Sequence, residues 1–352
     1  MAGLCVGDLF KVKPSCVLMV AAGGGGDVVS AAAISLQIKL YSGVQAVVAT
    51  PIWERFTRDP LPGPMRLDDL AGAELLSYAA LLKPDCTALR GGRLVKPSAC
   101  TVAGAIPELP VYAVDLLGGT YSAWRGLEEV SSLHGCDAVV VLDVGGDVLA
   151  QGCEENLWSP LADSLVLSAA SVLGVEDRVV AVFSPGSDGE LDARSVLKRI
   201  SAVASRGGLR MALSMGRVAY EAAKTAIARG AATEASLIPL LALEGEYGLK
   251  LIRGGTRSVE ITPVSALAFF MDIEQVYELN RMAELVSRTS SIDEANAALN
   301  DVGVYTEYDL EKDVHLFMSV FGRQPELSEL LEIRRRGKAR LGPCRLVAHT
   351  LR

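Results

Sequence analysis

The sequence predicts an α/β protein with a doubly wound, mainly parallel β-sheet of the Rossmann-like, three-layer kind, followed by a mostly helical C-terminal part. Two apolar runs, at residues 17–22 and 138–144, each lead into glycines followed by Asp-Val. A continuous apolar run bounded by glycine is typical of a strand covered on both faces, as in a parallel sheet. Strand and helix patterns alternate along most of the chain, which favours the doubly wound arrangement.

The N-terminal part supplies a β-α-β unit and then a less regular segment. Residues 28–41 are rich in alanine, with the apolar spacing of a helix packed on a sheet, and residues 45–50 read as the next strand. Three prolines within five residues exclude a helix or a central strand from residues 53–64. Between residues 65 and 110 we expect a helix or short strands near positions 73–82.

The alternation continues through the middle of the chain and gives way to mainly helical patterns after residue 262. We therefore divide the chain into an α/β ligand-binding domain (1–262), a helical part packed on it (263–330) and a basic tail (331–352). The further elements are strands at 111–115, 138–144, 179–183, 249–252 and 258–262, and helices at 121–133, 163–173, 192–206 and 214–229.

The basic tail is the segment whose role the sequence leaves open. Seven Lys or Arg residues and no acid occupy positions 334–352. A solvated helix end explains this composition, and so does a surface that docks onto an anionic partner or onto another subunit.

Composition limits the class of protein. Half of the 352 residues are apolar, which indicates a packed globular chain, and the net charge of −8 argues against a nucleic acid as partner. The sequence has no apolar run of the roughly 20 residues that cross a membrane, and no apolar signal core near its start, so we expect a cytoplasmic protein. Asn and Gln are scarce, which favours a heat-adapted source.

The seven cysteines are scattered and form no C-x-x-C pair, which argues against a zinc site of the finger type. In a cytoplasmic chain we expect buried free thiols. A short loop closed by Cys86 and Cys100 is the alternative, and a heat-adapted source would make it more acceptable.

Two standard phosphate-binding motifs are absent. The P-loop needs a lysine and a Ser or Thr that do not follow Gly26. The dinucleotide fingerprint fits residues 21–26 only if alanine replaces its first glycine, and Thr50-Pro51 stands where the ribose-binding acid is expected. NAD is therefore a disfavoured cofactor.

Acidic residues at predicted strand ends are the main functional candidates. Since parallel strands end at one edge of the sheet, we expect Asp27 and Asp147 to face one pocket with Asp188 on its rim. Carboxylates beside glycine amides suit Mg²⁺ bridged to a phosphorylated ligand, so Asp27 and Asp147 are the predicted metal ligands, and Asp147 and Asp188 the catalytic acid or base. The predicted ligand-binding residues are Gly23, Gly24, Gly25, Gly26, Asp27, Gly118, Gly119, Asp143, Gly145, Gly146, Arg253 and Arg257.

Each of these residues has a structural alternative. An aspartate that follows glycine and precedes a helix is a normal N-cap. Arg253 and Arg257 could bind a phosphate or a carboxylate, or they could be surface residues of a turn. Ser159 precedes Pro160 at a helix start, so we expect it to cap that helix.

Several separated motifs of the chain, in this order, resemble a prokaryotic, largely archaeal family of proteins of unknown function. The resemblance covers about residues 15–312 and implies no activity, substrate or catalytic residue. The matching motifs are GGGGDV (23–28), WER…DPLPGP (53–64), VDLLGG (114–119), DVGGDVL (143–149), SPLAD (159–163), SPGSDGEL (184–191), TEAS (233–236), RGGTRSVEITPVSAL (253–267) and EANAALNDVGV (294–304).

The leading hypothesis is a cytoplasmic enzyme that binds a phosphorylated or nucleotide-like small molecule at the glycine-rich loops, with Mg²⁺ as a possible cofactor. The residues do not decide between group transfer and hydrolysis. Two alternatives stay open: an oxidoreductase that uses NAD or FAD in a non-standard way, and a non-catalytic binding or assembly protein whose acids only cap helices. We expect an anionic small molecule as partner, no membrane contact, and a homo-oligomer.

Overall fold

The computed structural model of the chain describes residues 9–346, so Cys5 and the last six positions of the predicted basic tail lie outside the described residues. Within this range a ten-stranded mixed sheet lies between two helical layers, and a two-stranded hairpin stands apart from it. None of the helices in this range combines the length and the hydropathy that crossing a membrane requires.

The strands follow the chain in this order. The large sheet contains β1 (Cys16–Ala21), β2 (Gln45–Pro51), β3 (Leu70–Leu75), β4 (Ala79–Arg90), β5 (Arg93–Val95), β6 (Val111–Val114), β7 (Ala138–Val144), β8 (Asp177–Phe183), β9 (Leu209–Ser214) and β12 (Leu267–Asp272), and the hairpin is formed by β10 (Gly248–Ile252) and β11 (Arg257–Ile261).

The centre of the large sheet is parallel, and its margins are antiparallel. The strand order is β3-β4-β6-β2-β1-β7-β8-β12-β9, with β5 beside β4. Strands β6, β2, β1, β7 and β8 run parallel, whereas β4 and β12 run antiparallel to their neighbours. Because β1 continues to β2 on one side and has β7 on the other, the winding direction reverses between β1 and β7. The predicted doubly wound, mainly parallel α/β fold is confirmed.

The helices that cover the sheet and form the C-terminal part are α1 (Asp27–Ser42), α2 (Ser98–Ala105), α3 (Gly119–His134), α4 (Pro160–Ser171), α5 (Ala193–Ser205), α6 (Arg217–Ala228), α7 (Ile238–Leu243), α8 (Ile273–Leu279), α9 (Arg281–Val286), α10 (Ile292–Asn300), α11 (Glu307–Phe321) and α12 (Leu327–Leu341).

Two apolar cores lie on opposite faces of the sheet. Successive side chains of a strand point to opposite faces, and β1 divides accordingly. Val17 and Met19 pack in one core with α1, α2 and α6, whereas Leu18 and Val20 pack in the other with α3, α4 and the helices that follow β12. The continuous apolar run of β1 is thus explained by burial on both faces.

The margins of the sheet differ from the prediction. The undecided region 65–110 contributes the antiparallel strands β3, β4 and β5, and residues 53–64 form neither helix nor strand, as predicted. Strands β9 and β12 were not predicted, because a short apolar run such as Leu267–Asp272 cannot be distinguished from a helix segment by its periodicity. Since β12 pairs with β8 and β9, the helical part begins at Ile273 and not at residue 263.

Six of the seven cysteines form disulfides, so the expectation of free thiols was wrong for these six. The pairs are Cys16–Cys136, Cys86–Cys100 and Cys153–Cys344, with Cα–Cα distances of 4.3, 5.3 and 5.5 Å. The spacing of the cysteines in the sequence does not predict these pairs, because the partners come together only in the folded chain. The third disulfide ties the segment after α12 to the loop that follows β7.

Candidate functional site

A cavity of about 580 Å³ lies at the carboxyl ends of the central parallel strands. The loops that follow β1, β2, β7 and β8 line it, together with the turn between β10 and β11 and the start of α11. The strand order reverses between β1 and β7, which both end here. Sheets of this type bind ligands at such a reversal point, and the volume is in the range of small-molecule sites.

The structure brings most of the predicted site residues together at this cavity and leaves five outside its lining. Asp27, Asp147 and Asp188 share the cavity, as do both predicted arginines. The predicted residues that line it are Gly23, Gly24, Gly25, Gly26, Asp27, Asp147, Asp188, Arg253 and Arg257. The predicted residues outside the lining are Gly118, Gly119, Asp143, Gly145 and Gly146.

The loop of residues 23–26 lies between the cavity and closely packed side chains. A Cβ atom at Gly24 would lie 2.5 Å from the Cβ of Trp53, and one at Gly26 would lie 2.5 Å from that of Thr233. Packing alone therefore requires glycine at positions 24 and 26 of this loop. The half-buried Asp27 follows it as the first residue of α1, and its carboxylate accepts a hydrogen bond of 3.2 Å from the N–H of Gly23.

The loop after β7 holds acids beneath and beside the cavity. Asp143 is fully buried, and its Oδ2 accepts a hydrogen bond of 3.0 Å from Val148 N–H. Gly145 and Gly146 have positive φ angles, and a Cβ at Gly145 would overlap the carboxyl group of Asp188. A Cβ at Gly146 would lie 2.6 Å from Val196. These two glycines are needed for close packing, and neither of them lines the cavity.

Gly118 and Gly119 also serve packing, at the start of α3. A Cβ at Gly118 would lie 2.7 Å from that of Ser122. Gly119 has a φ of 64°, and a Cβ there would lie 2.8 Å from the hydroxyl of Thr289. The backbone of both residues is thus enclosed by neighbouring side chains and not by the cavity.

The cavity lining also contains six acids that were not among the predicted site residues: Glu54, Asp163, Glu190, Glu234, Glu307 and Glu311. Glu190 follows the predicted loop acid Asp188, and Asp163 lies in the first turn of α4. Glu307 and Glu311 come from α11 in the C-terminal part of the chain. Asp163 and Glu190 could have been found from the polar SPLAD and SDGEL motifs that contain them. The glutamates of α11 could not, because their pattern is that of an ordinary charged helix face.

Burial shifts the pKa values of these acids upward. It raises the pKa of Asp27, Asp188 and Glu311 to about 7. Burial, together with the negative charges of neighbouring carboxylates, holds the pKa values of a second group well above the ordinary range. This second group is Asp143, Asp147 and Asp163.

Glu190 is the exception, because it is held in its charged form. Burial alone would raise its pKa, but the Arg257 guanidinium and hydrogen bonds from Ser159 and Trp158 outweigh it and lower the pKa. Arg257 lies 3.1 Å from the Glu190 carboxylate, and the N–H of Trp158 donates to it at 2.6 Å. Ser159 occupies the N-cap position of α4 before Pro160, as predicted, but its hydroxyl bonds Glu190 and makes no capping bond to the helix backbone.

Three arginines face the acids. Arg55 lies 4.0 Å from Glu311, and Arg257 donates to the backbone oxygen of Asp188 at 2.9 Å. Arg55 Nη1 and Arg257 Nε are buried and have no hydrogen-bond partner within residues 9–346. Arg253 has a φ of 54°, an uncommon conformation for a residue with a side chain, and its N–H donates to Glu234 at 2.8 Å.

The first part of the predicted basic tail is a helix at the rim of this cavity. Arg334 of α12 lies over the ring of Trp158 at 4.5 Å from its centre, and it donates to the backbone oxygen of Leu157 at 2.7 Å. Leu330 of the same helix lines the cavity. Arg335 and Arg336 pair with Glu332 on the exposed side of the helix. The basic segment thus contributes both to the cavity rim and to the solvated surface.

Six of the acids form two compact groups in which three carboxylates each offer an oxygen within 4.8 Å of the others. Asp27, Asp143 and Asp163 form the first group, and Asp147, Asp188 and Glu190 form the second. Oxygens this close are spaced as around a single divalent cation. The predicted metal ligands Asp27 and Asp147 thus fall in different groups.

The chain matches one family of proteins. The family model described as "Protein of unknown function (DUF1152)" matches residues 18–315, which is more than half of the chain. Comparison with curated proteins and with solved structures finds no match. The match agrees with the resemblance expected from the sequence motifs and brings no ligand or catalytic residue with it.

Proposed function

This chain belongs to the DUF1152 family, and we propose that it is an enzyme that binds a phosphorylated or nucleotide-like small molecule, together with Mg²⁺, in the cavity at the ends of β1 and β7. One observation carries this proposal. The cavity is bordered by buried carboxylate oxygens and by buried N–H groups of arginines. These atoms have no hydrogen-bond partner among the described residues. A buried polar group without a partner is costly, so such atoms mark a place where a ligand completes the bonding.

The unpartnered carboxylate oxygens can be satisfied by a cation or by a hydrogen-bond donor of a ligand. Within residues 9–346, the buried carboxylate oxygens of the cavity lining without a hydrogen-bond partner are Asp163 Oδ1, Asp188 Oδ2 and Glu311 Oε1. Glu311 Oε1 faces Arg55 at 4.0 Å, which leaves the two aspartate oxygens, and Asp143 Oδ1, outside the lining, is a third of this kind. Mg²⁺ prefers one or two protein carboxylates and takes its other ligands from water and substrate phosphates. A magnesium ion therefore satisfies this set of oxygens without requiring further protein ligands.

The arginine N–H groups call for an anionic oxygen. Arg55 Nη1, in the segment after β2, and Arg257 Nε, at the start of β11, belong to elements other than the glycine loop after β1. Guanidinium groups form their strongest hydrogen bonds with phosphate or carboxylate oxygens. A phosphorylated ligand bound to Mg²⁺ offers such oxygens, and it also balances the charge of the carboxylates.

Within this proposal, proton transfer is carried out by a carboxyl group whose pKa is near 7. Burial raises the pKa of Glu311 to about 7, which suits a group that accepts or donates a proton at neutral pH, and Glu311 belongs to neither of the compact carboxylate groups. Asp147 and Asp188, the acids predicted to be catalytic, lie in one of those groups and would instead bind the cation. The cation and the arginines would stabilise negative charge on the transferred group, whether the acceptor is water or a hydroxyl group.

A thermal-shift panel tests the proposal. The purified chain is heated with inorganic phosphate, sugar phosphates, nucleotides and NAD, each with and without Mg²⁺. We expect a phosphorylated compound to stabilise the chain only when Mg²⁺ is present, by about 2.7 kcal/mol at one hundred times its Kd. Flat responses of the folded chain across the whole panel contradict the proposal, and a Mg²⁺-independent response to NAD alone favours the oxidoreductase alternative.

A matched pair of variants shows whether a response comes from this cavity. Asp163→Asn removes a cavity carboxylate, and Asp115→Asn changes an acid after β6 at the same sheet edge but outside the cavity lining. Asp115 accepts a hydrogen bond of 2.9 Å from Leu117 N–H, and the asparagine oxygen can accept the same bond. We expect the ligand response to disappear with Asp163→Asn and to persist with Asp115→Asn.

A further inference from the structure

We propose that the floor of this cavity binds two divalent cations side by side, one in each of the two carboxylate groups. This inference rests on the proposed function only in sharing its cavity and its class of metal. It goes beyond that function in assigning two cation positions and the residues that form each of them.

The first position is formed by Asp27, Asp143 and Asp163. Each offers a carboxylate oxygen within 4.8 Å of the other two. Two oxygens bound to one cation at 2.0–2.6 Å lie at most about 4–5 Å apart, so small movements of these side chains bring all three oxygens onto one ion. Asp143 is 0% and Asp163 is 2% exposed, and an oxygen of each has no hydrogen-bond partner in the described part of the chain.

The second position is formed by Asp147, Asp188 and Glu190, whose oxygens meet the same distance limit. Asp188 is 5% exposed, and its Oδ2 has no hydrogen-bond partner within residues 9–346. Glu190 is already engaged by Arg257 and by backbone N–H groups. The strongest protein ligands here are thus the two aspartates, and substrate oxygens complete the shell as Mg²⁺ prefers.

One loop connects the two positions. Asp143, at the end of β7, belongs to the first group, and Asp147, four residues later, belongs to the second. Two cations whose ligands include residues only four positions apart can act on the same phosphoryl group, as in two-metal sites that clamp its attacking and leaving oxygens.

The charge of the site favours the second cation. The six carboxylates of the two groups include one ion pair with an arginine, that between Glu190 and Arg257. Carboxylates bind a cation in their ionised form, and with all six ionised one divalent cation would leave three negative charges without a partner, whereas a second cation reduces this to one. A buried charge without a partner is costly, so the second ion removes most of the remaining penalty.

Binding of Mn²⁺ alone, measured by equilibrium dialysis and by electron paramagnetic resonance, tests this inference without any organic ligand. We expect two Mn²⁺ per wild-type chain, with spectra that show coupling between the two ions. Asp163→Asn should lose the first ion and Asp188→Asn the second, so each variant binds one ion and loses the coupling. Asp115→Asn, outside both groups, should bind two.

The outcomes separate the two proposals. One Mn²⁺ per wild-type chain overturns the two-cation inference, while a Mg²⁺-dependent response in the ligand panel would still support the proposed function. Two ions in both aspartate variants, with folding verified by circular dichroism, overturn the assignment of the ligands. No Mn²⁺ bound to the folded wild-type chain overturns the inference as a whole. The number of Mn²⁺ ions bound per wild-type chain tests the two-cation inference even if a variant fails to fold.

Discussion

The carboxylate of Glu307 accepts a hydrogen bond of 3.0 Å from the backbone N–H of Leu161, although 146 residues separate the two in sequence. Its other oxygen accepts from Ala162 N–H at 2.9 Å. These are free amides in the first turn of α4, the turn that also carries Asp163. A glutamate of the C-terminal part therefore provides the cap that this helix lacks locally, and it fixes the backbone beneath a cavity acid.

Replacing Glu307 by alanine should weaken both the fold and the site. The change leaves two buried amides without acceptors, so we expect the free energy of unfolding to fall by about 2 kcal/mol. Because the first turn of α4 is no longer fixed, the affinity for Mn²⁺ should fall as well. Urea unfolding followed by circular dichroism, together with Mn²⁺ dialysis, measures the two effects.

Asp192→Ala is the matched control for that change. Asp192 caps α5 by accepting a hydrogen bond of 2.9 Å from Ser195 N–H, and it does not line the cavity. It should lose a similar free energy of unfolding and keep its affinity for Mn²⁺. Equal Mn²⁺ affinities for the Glu307 and Asp192 variants would contradict a positioning role for Glu307.

The sequence predicts the centre of this fold better than its margins. The strands β1, β7 and β8 are long, apolar and followed by glycine-rich turns, because both of their faces are buried. The strands β9 and β12 lie at or near the edge, and β12 continues directly into a helix. Their short apolar runs carry no period that separates them from helix.

The candidate site was predictable only where its residues follow central strands. Asp27, Asp147 and Asp188 could be assigned to one edge because parallel strands end together. Glu307 and Glu311 reach the same cavity through the packing of α11 on the body of the protein, and no local pattern encodes that packing. Some glycines were predicted to bind a ligand and do not line the cavity. Close packing and access to a ligand both require glycine, so the sequence alone cannot tell the two roles apart.

The stability of the chain should depend on pH through Glu311. Burial raises its pKa from 4.5 to about 7, so between these values the folded chain holds a proton that the unfolded chain releases. The stabilisation is complete below about pH 4.5 and is lost as the pH rises through 7, because the free energy of unfolding falls wherever the folded state binds more protons. The upper bound of this loss is about 3 kcal/mol.

Glu311→Gln tests this pH dependence. One oxygen of Glu311 accepts both the Trp53 Nε1–H bond at 2.8 Å and the Gly63 N–H bond at 2.9 Å, and glutamine retains such an oxygen. Urea unfolding at a series of pH values should give a shallower decline for the variant. A residual decline remains, because Asp27 and Asp188 also have pKa values near 7. Identical slopes for the two proteins would exclude this role for Glu311.

Gly24→Ala should destabilise the fold although position 24 lies in the loop predicted to bind a ligand. Its Cβ would lie 2.5 Å from that of Trp53, which is fully buried and cannot move away. Overpacking of this kind costs about 1–3 kcal/mol. Gly174→Ala is the control, because a Cβ there meets nothing within 4 Å. Thermal unfolding should show a lower Tm for the first variant alone, and equal Tm values would refute the packing role.

The cysteines allow a direct count. The structure pairs six of the seven, so a thiol reagent should detect six more thiols per chain after reduction than in the unfolded, unreduced protein. The pair Cys153–Cys344 spans 191 positions and fastens the segment after α12, the helix whose Arg334 lies over Trp158 at the cavity rim. Cys344→Ser should therefore lower the free energy of unfolding by about 2–5 kcal/mol, since the unfolded chain regains the freedom of a long loop. Three or more thiols before reduction would contradict this pairing.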